Sequence, residues 1–349
     1  LTIDLIESIE RLILKHQTLL SVGFKMPLLE DFAAALSVMT SGENLLTQHY
    51  AIPSVTIGVD VHGSSVEMPL VGAGTWQYND TIAYESVCKA FRAGYSMVDT
   101  AYGYKNQRGV GRAIRECWSG ARDELFVMTK IPGGLRAEEA LDAHKRNLDD
   151  LGLEYVDHLM THFPSDWHVS PDKSSPEMRR EEWLALENIY YQGEARSIGM
   201  SHYCPRHIDD VLSIATVPPS INQVEYHIGS EDIDGVIEKC RQSNIIFMSF
   251  SPLCGPCEFK PEDSLINGKL VTEIAKKYGV SGSQVSLRFI VQQALTEGSK
   301  IGGVIPKSNN PSHIASNKDI FSFELRKEDM QQLRAATEPA AEGGDCDVP

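Results

Sequence analysis

The chain has 349 residues, of which 42% are hydrophobic, and its formal net charge is −16 at pH 7. This length and apolar content suffice for a complete hydrophobic core, whereas the acidic excess argues against nucleic acid or an anionic membrane surface as the main partner. No apolar run approaches the roughly 18 residues of a membrane span. The seven cysteines are scattered and odd in number, which is typical of a reducing compartment, so we expect a cytoplasmic protein.

Residues 1–52 predict a helical N-terminal extension. Apolar residues from Ile3 to Ile13 recur at helical spacing opposite charged residues, and a second helix is expected over 28–40. These helices either pack on the outside of the main domain or form an oligomer contact or a lid, and both alternatives stay open. We expect a monomer or a small homo-oligomer.

Residues 53–337 show the pattern of one α/β domain. Two alternating apolar stretches, 55–61 and 66–71, flank a His-Gly-Ser-Ser turn and predict a β-hairpin. Strand, loop and helix then repeat. The predicted strands are residues 70–72, 96–99, 125–129, 156–161, 197–200, 220–223, 245–249 and 303–305. The predicted helices are residues 81–93, 109–117, 137–148, 180–192, 207–214, 233–242, 270–278, 283–293 and 313–318.

Strands that alternate with helices are parallel and joined by crossovers, and eight of them close into a barrel. We therefore predict an α/β fold, a (β/α)8 TIM barrel with an N-terminal β-hairpin and the helical extension in front of it. Residues 338–349, rich in alanine, glycine and acidic residues, predict a flexible acidic tail.

Titratable residues follow three neighbouring strands of this predicted barrel. Asp99 ends the second strand and Tyr104 lies in its loop, while Lys130 and His162 follow the third and fourth strands. Catalytic residues of such barrels lie at these strand ends. A phenol, with a reference pKa of about 10, is a weak acid at neutral pH. Lys130 would lower that pKa by stabilising the phenolate, Asp99 would hold Lys130, and His162 could donate a hydrogen bond to a carbonyl oxygen.

Any one of these residues alone would more often be a surface lysine or a satisfied core histidine, and only their joint placement favours catalysis. Motifs along residues 55–336 strengthen that interpretation, because they resemble those of an aldo-keto reductase, in family order. They are Met68-Pro-Leu-Val-Gly-Ala-Gly-Thr-Trp76, Asp99-Thr-Ala-Tyr-Gly-Tyr104, Thr129-Lys130, Met160-Thr-His-Phe-Pro164, Ile198-Gly-Met-Ser-His202, Asn222-Gln-Val-Glu-Tyr226, Ser249-Phe-Ser-Pro-Leu253 and Val304-Ile-Pro-Lys-Ser308.

The resemblance implies an oxidoreductase that reduces aldehydes or ketones to alcohols with NAD(P)H. The hydride would come from nicotinamide C4 and the proton from Tyr104, tuned by Lys130 and Asp99, while His162 orients the carbonyl. A regulatory or scaffold subunit that binds the cofactor with little turnover is the alternative. The third hypothesis is a redox-switched oxidoreductase that uses a cysteine pair.

A Rossmann fingerprint is absent, since Gly72-Ala-Gly74 lacks the third glycine. The resemblance instead implies NADPH, with NADH as an alternative, extended across the barrel mouth. Ser201 and Gln223 would bind the nicotinamide amide, and Phe250 would stack on its ring. The full set at matching positions is Gly74, Thr75, Trp76, Asp99, Ser201, His202, Gln223, Phe250, Ser251, Leu253, Lys307, Ser308, Asn309, His313 and Asn317.

Three of these residues depart from the family pattern. His202 stands where asparagine is usual, Phe250 replaces a common tyrosine, and His313 stands where many members have arginine against the 2′-phosphate. Loss of a permanent, bidentate cation should weaken the preference for NADPH, but Lys307 remains.

The substrate, a small-molecule carbonyl compound, would enter a fairly open pocket with weak discrimination. Its expected lining is Trp76, Tyr104, His162, Phe163 and Trp167. Cys254-Gly-Pro-Cys257 follows the seventh strand and is either a coincidence or a redox pair that closes the cofactor loop. No second C-x-x-C or nearby histidine suggests zinc, so we expect no metal.

Overall fold

The computed structural model describes residues 51–349 apart from 167, 169, 256–259, 297 and 342–345. These residues belong to one compact unit that spans 50–349. The predicted helices within residues 1–50 lie outside the described residues.

The chain first forms the predicted β-hairpin, with β1 (Ser54–Val59) antiparallel to β2 (Ser65–Pro69). In the turn, the Asp60 carboxylate accepts hydrogen bonds from the backbone N–H groups of His62 and Ser64, at 3.0 and 2.9 Å. One side of the hairpin is buried: Val66 and Met68 pack against Met128, Met160, Met248 and other apolar residues of the barrel interior. The hairpin therefore covers one end of the barrel core.

Eight strands, β3 to β10, form a parallel sheet in chain order. They are β3 (Ala73–Gly74), β4 (Met97–Asp99), β5 (Phe126–Ile131), β6 (His158–Thr161), β7 (Ile198–Ser201), β8 (Ile221–Glu225), β9 (Ile246–Phe250) and β10 (Ile301–Val304). A parallel β-bridge between Val71, just before β3, and Val304 in β10 joins the two edges of this sheet. Residues on both faces of β5 are buried, as expected when helices cover a parallel sheet. The predicted TIM-barrel fold is thus confirmed.

Helices cover the outside of this sheet. They are α1 (Asp80–Arg92), α2 (Gln107–Cys117), α3 (Ala137–Leu151), α4 (Pro176–Tyr191), α5 (Pro205–Leu212), α6 (Val236–Gln242), α7 (Lys269–Tyr278), α8 (Gly282–Ala294), α9 (Pro311–Lys318) and α10 (Lys327–Arg334). The local sequence explains where several helices begin. The side chains of Asn79, Ser175 and Ser281 each accept a hydrogen bond from a backbone N–H in the first turn of the helix that follows.

The loops after β3 and β10 approach each other closely. A Cβ added at Gly74 would lie 2.6 Å from the Ile305 carbonyl oxygen, so this position requires glycine. The Gly74 N–H also donates to the Pro306 carbonyl, at 3.2 Å. This contact brings the segments that hold Trp76 and Lys307 together at one edge of the barrel mouth.

Disulfides differ from the expectation of reduced cysteines. Cys88 on α1 is bonded to Cys117 at the end of α2, and Cys204 is bonded to Cys346, 142 residues further along the chain. The last residues, for which the sequence predicts a flexible tail, make further contacts: Val348 is buried and the Pro349 carbonyl accepts from Arg179, at 2.8 Å. The cytoplasmic location stays a prediction.

Candidate active site

One ammonium group connects three of the predicted catalytic residues. Lys130 Nζ, on β5, lies 2.7 Å from Asp99 Oδ2 on β4 and 3.1 Å from Tyr104 Oη. Its third acceptor is the Thr100 carbonyl, at 3.3 Å. Only about 1% of the Lys130 and Asp99 side chains is exposed. Because removal of either partner would leave an uncompensated buried charge, Lys130 and Asp99 depend on each other.

The predicted lowering of the Tyr104 pKa is wrong for this structure. Burial raises the pKa of Tyr104, Lys130 lowers it as expected, and Asp99 raises it. The resulting pKa is about 12. The sequence indicated the charged neighbours, whereas the extent of burial depends on the folded barrel mouth. Tyr104 is therefore protonated at neutral pH and lies next to a cation that favours its phenolate. Burial opposes the charge of Lys130, but Asp99 and Tyr104 outweigh it and raise the lysine's pKa.

His162 lies beside Tyr104 in a row of aromatic rings. Its ring centroid is 5.5 Å from that of Tyr104 and 4.5 Å from that of Phe163. Phe163 is followed by His202, at 4.5 Å, and His202 by Phe250, at 4.8 Å. Burial and the charge of Lys130 hold the pKa of His162 well below its usual range. The imidazole is therefore neutral at pH 7 and can donate one hydrogen bond to a substrate oxygen.

The predicted nicotinamide residues lie on the next strands. Ser201 Oγ donates to the Gln223 carbonyl at 2.8 Å, and the Gln223 side chain reaches Asp99 Oδ2 at 3.2 Å. His202 has a positive φ of 62°, an uncommon conformation for a residue other than glycine. Burial and Lys130 lower its pKa to about 3. The structure thus connects the predicted catalytic and nicotinamide groups through Gln223.

The predicted adenosine and phosphate residues lie together after β10. Lys307 is exposed, and its Nζ donates to Gln77 Oε1 at 2.9 Å. Asn317 is buried and lines a cleft with Gly74 and Ser308. His313 is exposed on the first turn of α9, at 3.4 Å from Asn310 Nδ2. A lysine ammonium and a helix N-terminus are both groups that bind anions.

Other predicted residues fall outside this arrangement or cannot be placed. Trp76 is 44% exposed, and Ser251 and Leu253 are half-buried. Cys254 takes part in a disulfide. Trp167 and Cys257 lie outside the described residues. The contribution of Trp167 to the substrate pocket and the redox pair of Cys254 with Cys257 therefore stay predictions.

Sequence reasoning missed a group of buried polar residues behind the site. Asn106 Nδ2 donates to the carbonyls of Thr75 and Tyr78, at 2.8 and 2.9 Å. Thr75, predicted to touch cofactor, donates its hydroxyl to the Asp99 carbonyl at 2.8 Å. These bonds fix the loop that carries Tyr104. A lone asparagine in a loop gives no sequence signal of burial, because loops are usually rich in such residues.

A second missed group supports the segment after β10. Ser86 Oγ on α1 donates to the Ser308 carbonyl at 2.7 Å. Lys89 Nζ donates to the Asn309 carbonyl and Oδ1, at 3.0 and 2.6 Å. Ser86 is buried and Lys89 is half-buried, but a serine and a lysine are ordinary residues in a helix, so the sequence gives no sign of these contacts.

Comparison with known proteins agrees with this geometry. A model of the Aldo/keto reductase family matches residues 70–338. The 9,11-endoperoxide prostaglandin H2 reductase of Trypanosoma cruzi is 34% identical over 287 residues, covering 81% of this chain and 93% of the relative. The glyoxal reductase of Bacillus subtilis is 35% identical over 275 residues, covering 78% of this chain and 90% of the relative.

A solved aldo-keto reductase from a Medee basin deep-sea metagenome library superposes with a TM-score of 0.69 at 31% identity, covering 78% of this chain and 92% of that one. The chain therefore belongs to the aldo/keto reductase family. It is an oxidoreductase of a family that reduces carbonyl compounds and generally uses nicotinamide cofactors. Among the described residues, no helix has the length and apolarity of a membrane span.

Proposed function

We propose that the protein reduces aldehydes or ketones to alcohols with NAD(P)H, and that Tyr104 donates the proton. The observation that carries this proposal is the position of Lys130 Nζ, 2.7 Å from Asp99 and 3.1 Å from Tyr104. A lysine that is ion-paired at this distance stays charged, and its charge offsets the negative charge that develops on the phenol as the proton leaves.

Each side chain has a separate task in this mechanism. Tyr104, with a pKa of about 12, carries the proton at neutral pH and releases it to the carbonyl oxygen. Lys130 lowers the cost of the resulting phenolate, and neutral His162 donates a hydrogen bond that orients the carbonyl. NAD(P)H supplies the hydride from nicotinamide C4 when it is bound. The carbonyl compound gains one hydride and one proton and becomes an alcohol.

The residues around the barrel mouth fit a nicotinamide dinucleotide. Ser201 and Gln223 offer polar groups at the buried end, Phe250 offers a half-buried ring, and Lys307 with the N-terminus of α9 offers a positive site at the other end. We propose NADPH as the preferred cofactor because of Lys307, with NADH as a weaker alternative because His313 lacks a permanent charge.

The decisive test is oxidation of the cofactor. The purified protein is mixed with NADPH or NADH and a panel of aliphatic and aromatic aldehydes, and loss of the reduced-nicotinamide absorbance is followed. Turnover with several aldehydes and a higher kcat/KM with NADPH are expected. No turnover with any aldehyde or ketone would contradict the proposal.

The alternative, a regulatory subunit that binds the cofactor with little turnover, has one observation in its favour. The His202 ring packs 4.8 Å from Phe250, 36° from parallel, on the residue proposed to stack on the nicotinamide. Cofactor binding measured by fluorescence quenching, without turnover and with a co-purifying partner, would favour this function.

A further inference from the structure

Gln223 makes a contact that cofactor binding does not require. Its side-chain nitrogen lies 3.2 Å from Asp99 Oδ2, the same oxygen that accepts from Lys130 at 2.7 Å. Only about 1% of Gln223 and of Asp99 is exposed. Two donors from different strands, β8 and β5, therefore meet on one carboxylate oxygen in the barrel interior.

The surroundings fix the orientation of the Gln223 amide. A carboxylate only accepts hydrogen bonds, so the NH2 end of the amide must face Asp99. The thioether sulfurs of Met128 and Met248 each lie 3.6 Å from the same nitrogen. The Gln223 carbonyl on the main chain accepts from Ser201 Oγ and from the His202 N–H, at 2.8 and 3.0 Å, which ties this strand to its neighbour.

The position of Asp99 determines the position of Lys130. The Lys130 ammonium has three N–H donors, which point to Asp99, Tyr104 and the Thr100 carbonyl. If the Asp99 carboxylate rotated, the strongest and shortest of these contacts would move, and the ammonium would move with it. The distance from Lys130 Nζ to Tyr104 Oη would then increase.

We propose that Gln223 is a positioning residue for the proton donor: it fixes the Asp99 carboxylate, which holds Lys130 against Tyr104. This inference rests on the proposed function, and it adds a second role to a residue expected to bind the nicotinamide amide. Gln223 thereby connects the cofactor site to the proton-donating group. A hydrogen bond to a charged group is among the stronger ones in proteins.

The test separates positioning from cofactor affinity. Gln223→Met keeps the size of the side chain and places a thioether beside Met128 and Met248, but it removes the donor. Gln293→Met is the matched control, since Gln293 is a buried glutamine on α8 that donates to the Phe289 carbonyl at 3.0 Å, outside the proposed site. Gln223→Glu, which sets a second carboxyl group against Asp99, replaces Gln223→Met if that variant does not fold.

With cofactor and aldehyde saturating, we expect kcat of Gln223→Met to fall about tenfold, the factor that corresponds to about 1.4 kcal/mol. The solvent deuterium isotope effect on kcat should increase, because proton transfer becomes slower relative to hydride transfer, while Gln293→Met retains parental values. A variant with weaker cofactor binding but parental kcat and solvent isotope effect would overturn the proposal.

A crystal structure of Gln223→Met gives a readout that does not depend on turnover. We expect the Asp99 carboxylate to be rotated and the Lys130–Tyr104 contact to be lengthened. Unchanged distances from Lys130 Nζ to Asp99 and Tyr104 would overturn the proposal. Absence of turnover in the parent enzyme would instead contradict the proposed function, and the structural result would still decide the role of Gln223.

Discussion

A buried lysine between a carboxylate and a phenol makes Tyr104 chemically different from the other tyrosines near it. Burial alone would make proton release from the phenol more costly, and Lys130 reduces that cost at the atom where negative charge develops. His162 stays neutral because it is buried near the same cation. The site thus combines the ion-paired Lys130, the weak acid Tyr104 and the neutral hydrogen-bond donor His162.

Cofactor preference is also decided by single residues. His313 is exposed on the first turn of α9 and lies near Lys307 in sequence. In His313→Arg, a permanent guanidinium would form charge-assisted bonds with a 2′-phosphate. We expect the KM for NADPH to fall about tenfold, as for one added charge-assisted hydrogen bond, while the KM for NADH stays unchanged.

His62→Arg serves as the matched control, because it adds the same charge to an exposed histidine in the hairpin turn. Steady-state kinetics with both cofactors measure the effect. Equal improvement with NADH would show that the new charge does not discriminate through the 2′-phosphate.

At the scale of elements, buried histidines make the barrel wall sensitive to acid. His144 on α3 is fully buried, and this burial lowers its pKa to about 4, opposed weakly by the Glu194 backbone. His158 on β6 is also buried, and its pKa is lowered to about 3. Their neutral forms fit the packed interior, and their protonated forms do not.

The sign of the pH effect follows from these lowered values. Above pH 6.5 a histidine is neutral in both the folded and the unfolded chain. As the pH falls below 6.5, the unfolded chain takes up a proton that the fold excludes, so stability is lost down to about pH 4. We expect His144 alone to reduce the free energy of unfolding by about 1–2 kcal/mol between pH 7 and pH 5.

Urea denaturation of the parent, His144→Gln and His62→Gln at both pH values tests this effect. The difference between the two pH values should shrink in His144→Gln and stay at the parental size in the exposed His62→Gln control. An unchanged difference in His144→Gln would show that His144 is not responsible.

Sequence patterns predicted the order of the strands well and their ends less well. The first barrel strand was expected at 70–72 and is observed at Ala73–Gly74, because buried parallel strands are continuous apolar runs without the alternation that marks their limits. The contact between Lys130 and Asp99 can be predicted from the sequence, because the two residues lie at the ends of neighbouring strands. The high pKa of Tyr104, the Gln223–Asp99 contact and the support by Asn106 depend on burial, which periodicity does not reveal.

At the scale of the whole molecule, the chain contains disulfides, whereas its scattered cysteines predict a reducing compartment. Cys88 and Cys117 come together because α1 and α2 pack against each other, and the Cys204–Cys346 bond joins the start of α5 to the last residues of the chain. Such pairs depend on three-dimensional packing and cannot be read from cysteine spacing.

The two crosslinks should stabilise the fold unequally. Since the constraint on the unfolded chain grows with loop length, the bond across 142 residues should contribute roughly 1.4 kcal/mol more than the bond across 29. We expect Cys346→Ser to lower the free energy of unfolding in urea more than Cys117→Ser under oxidising conditions. With a reductant present, the parent and both variants should converge, and equal losses in both variants without reductant would contradict the prediction.

The central claim is that Tyr104 donates the proton during carbonyl reduction, and Tyr104→Phe tests it directly. The control is Tyr102→Phe, which removes a hydroxyl that accepts from Arg146 on α3, at 3.2 Å, outside the ion-paired cluster. With NADPH and an aldehyde saturating, we predict that kcat of Tyr104→Phe falls at least about 100-fold, with cofactor affinity unchanged and Tyr102→Phe close to the parent. Turnover by Tyr104→Phe at the parental rate would contradict the account.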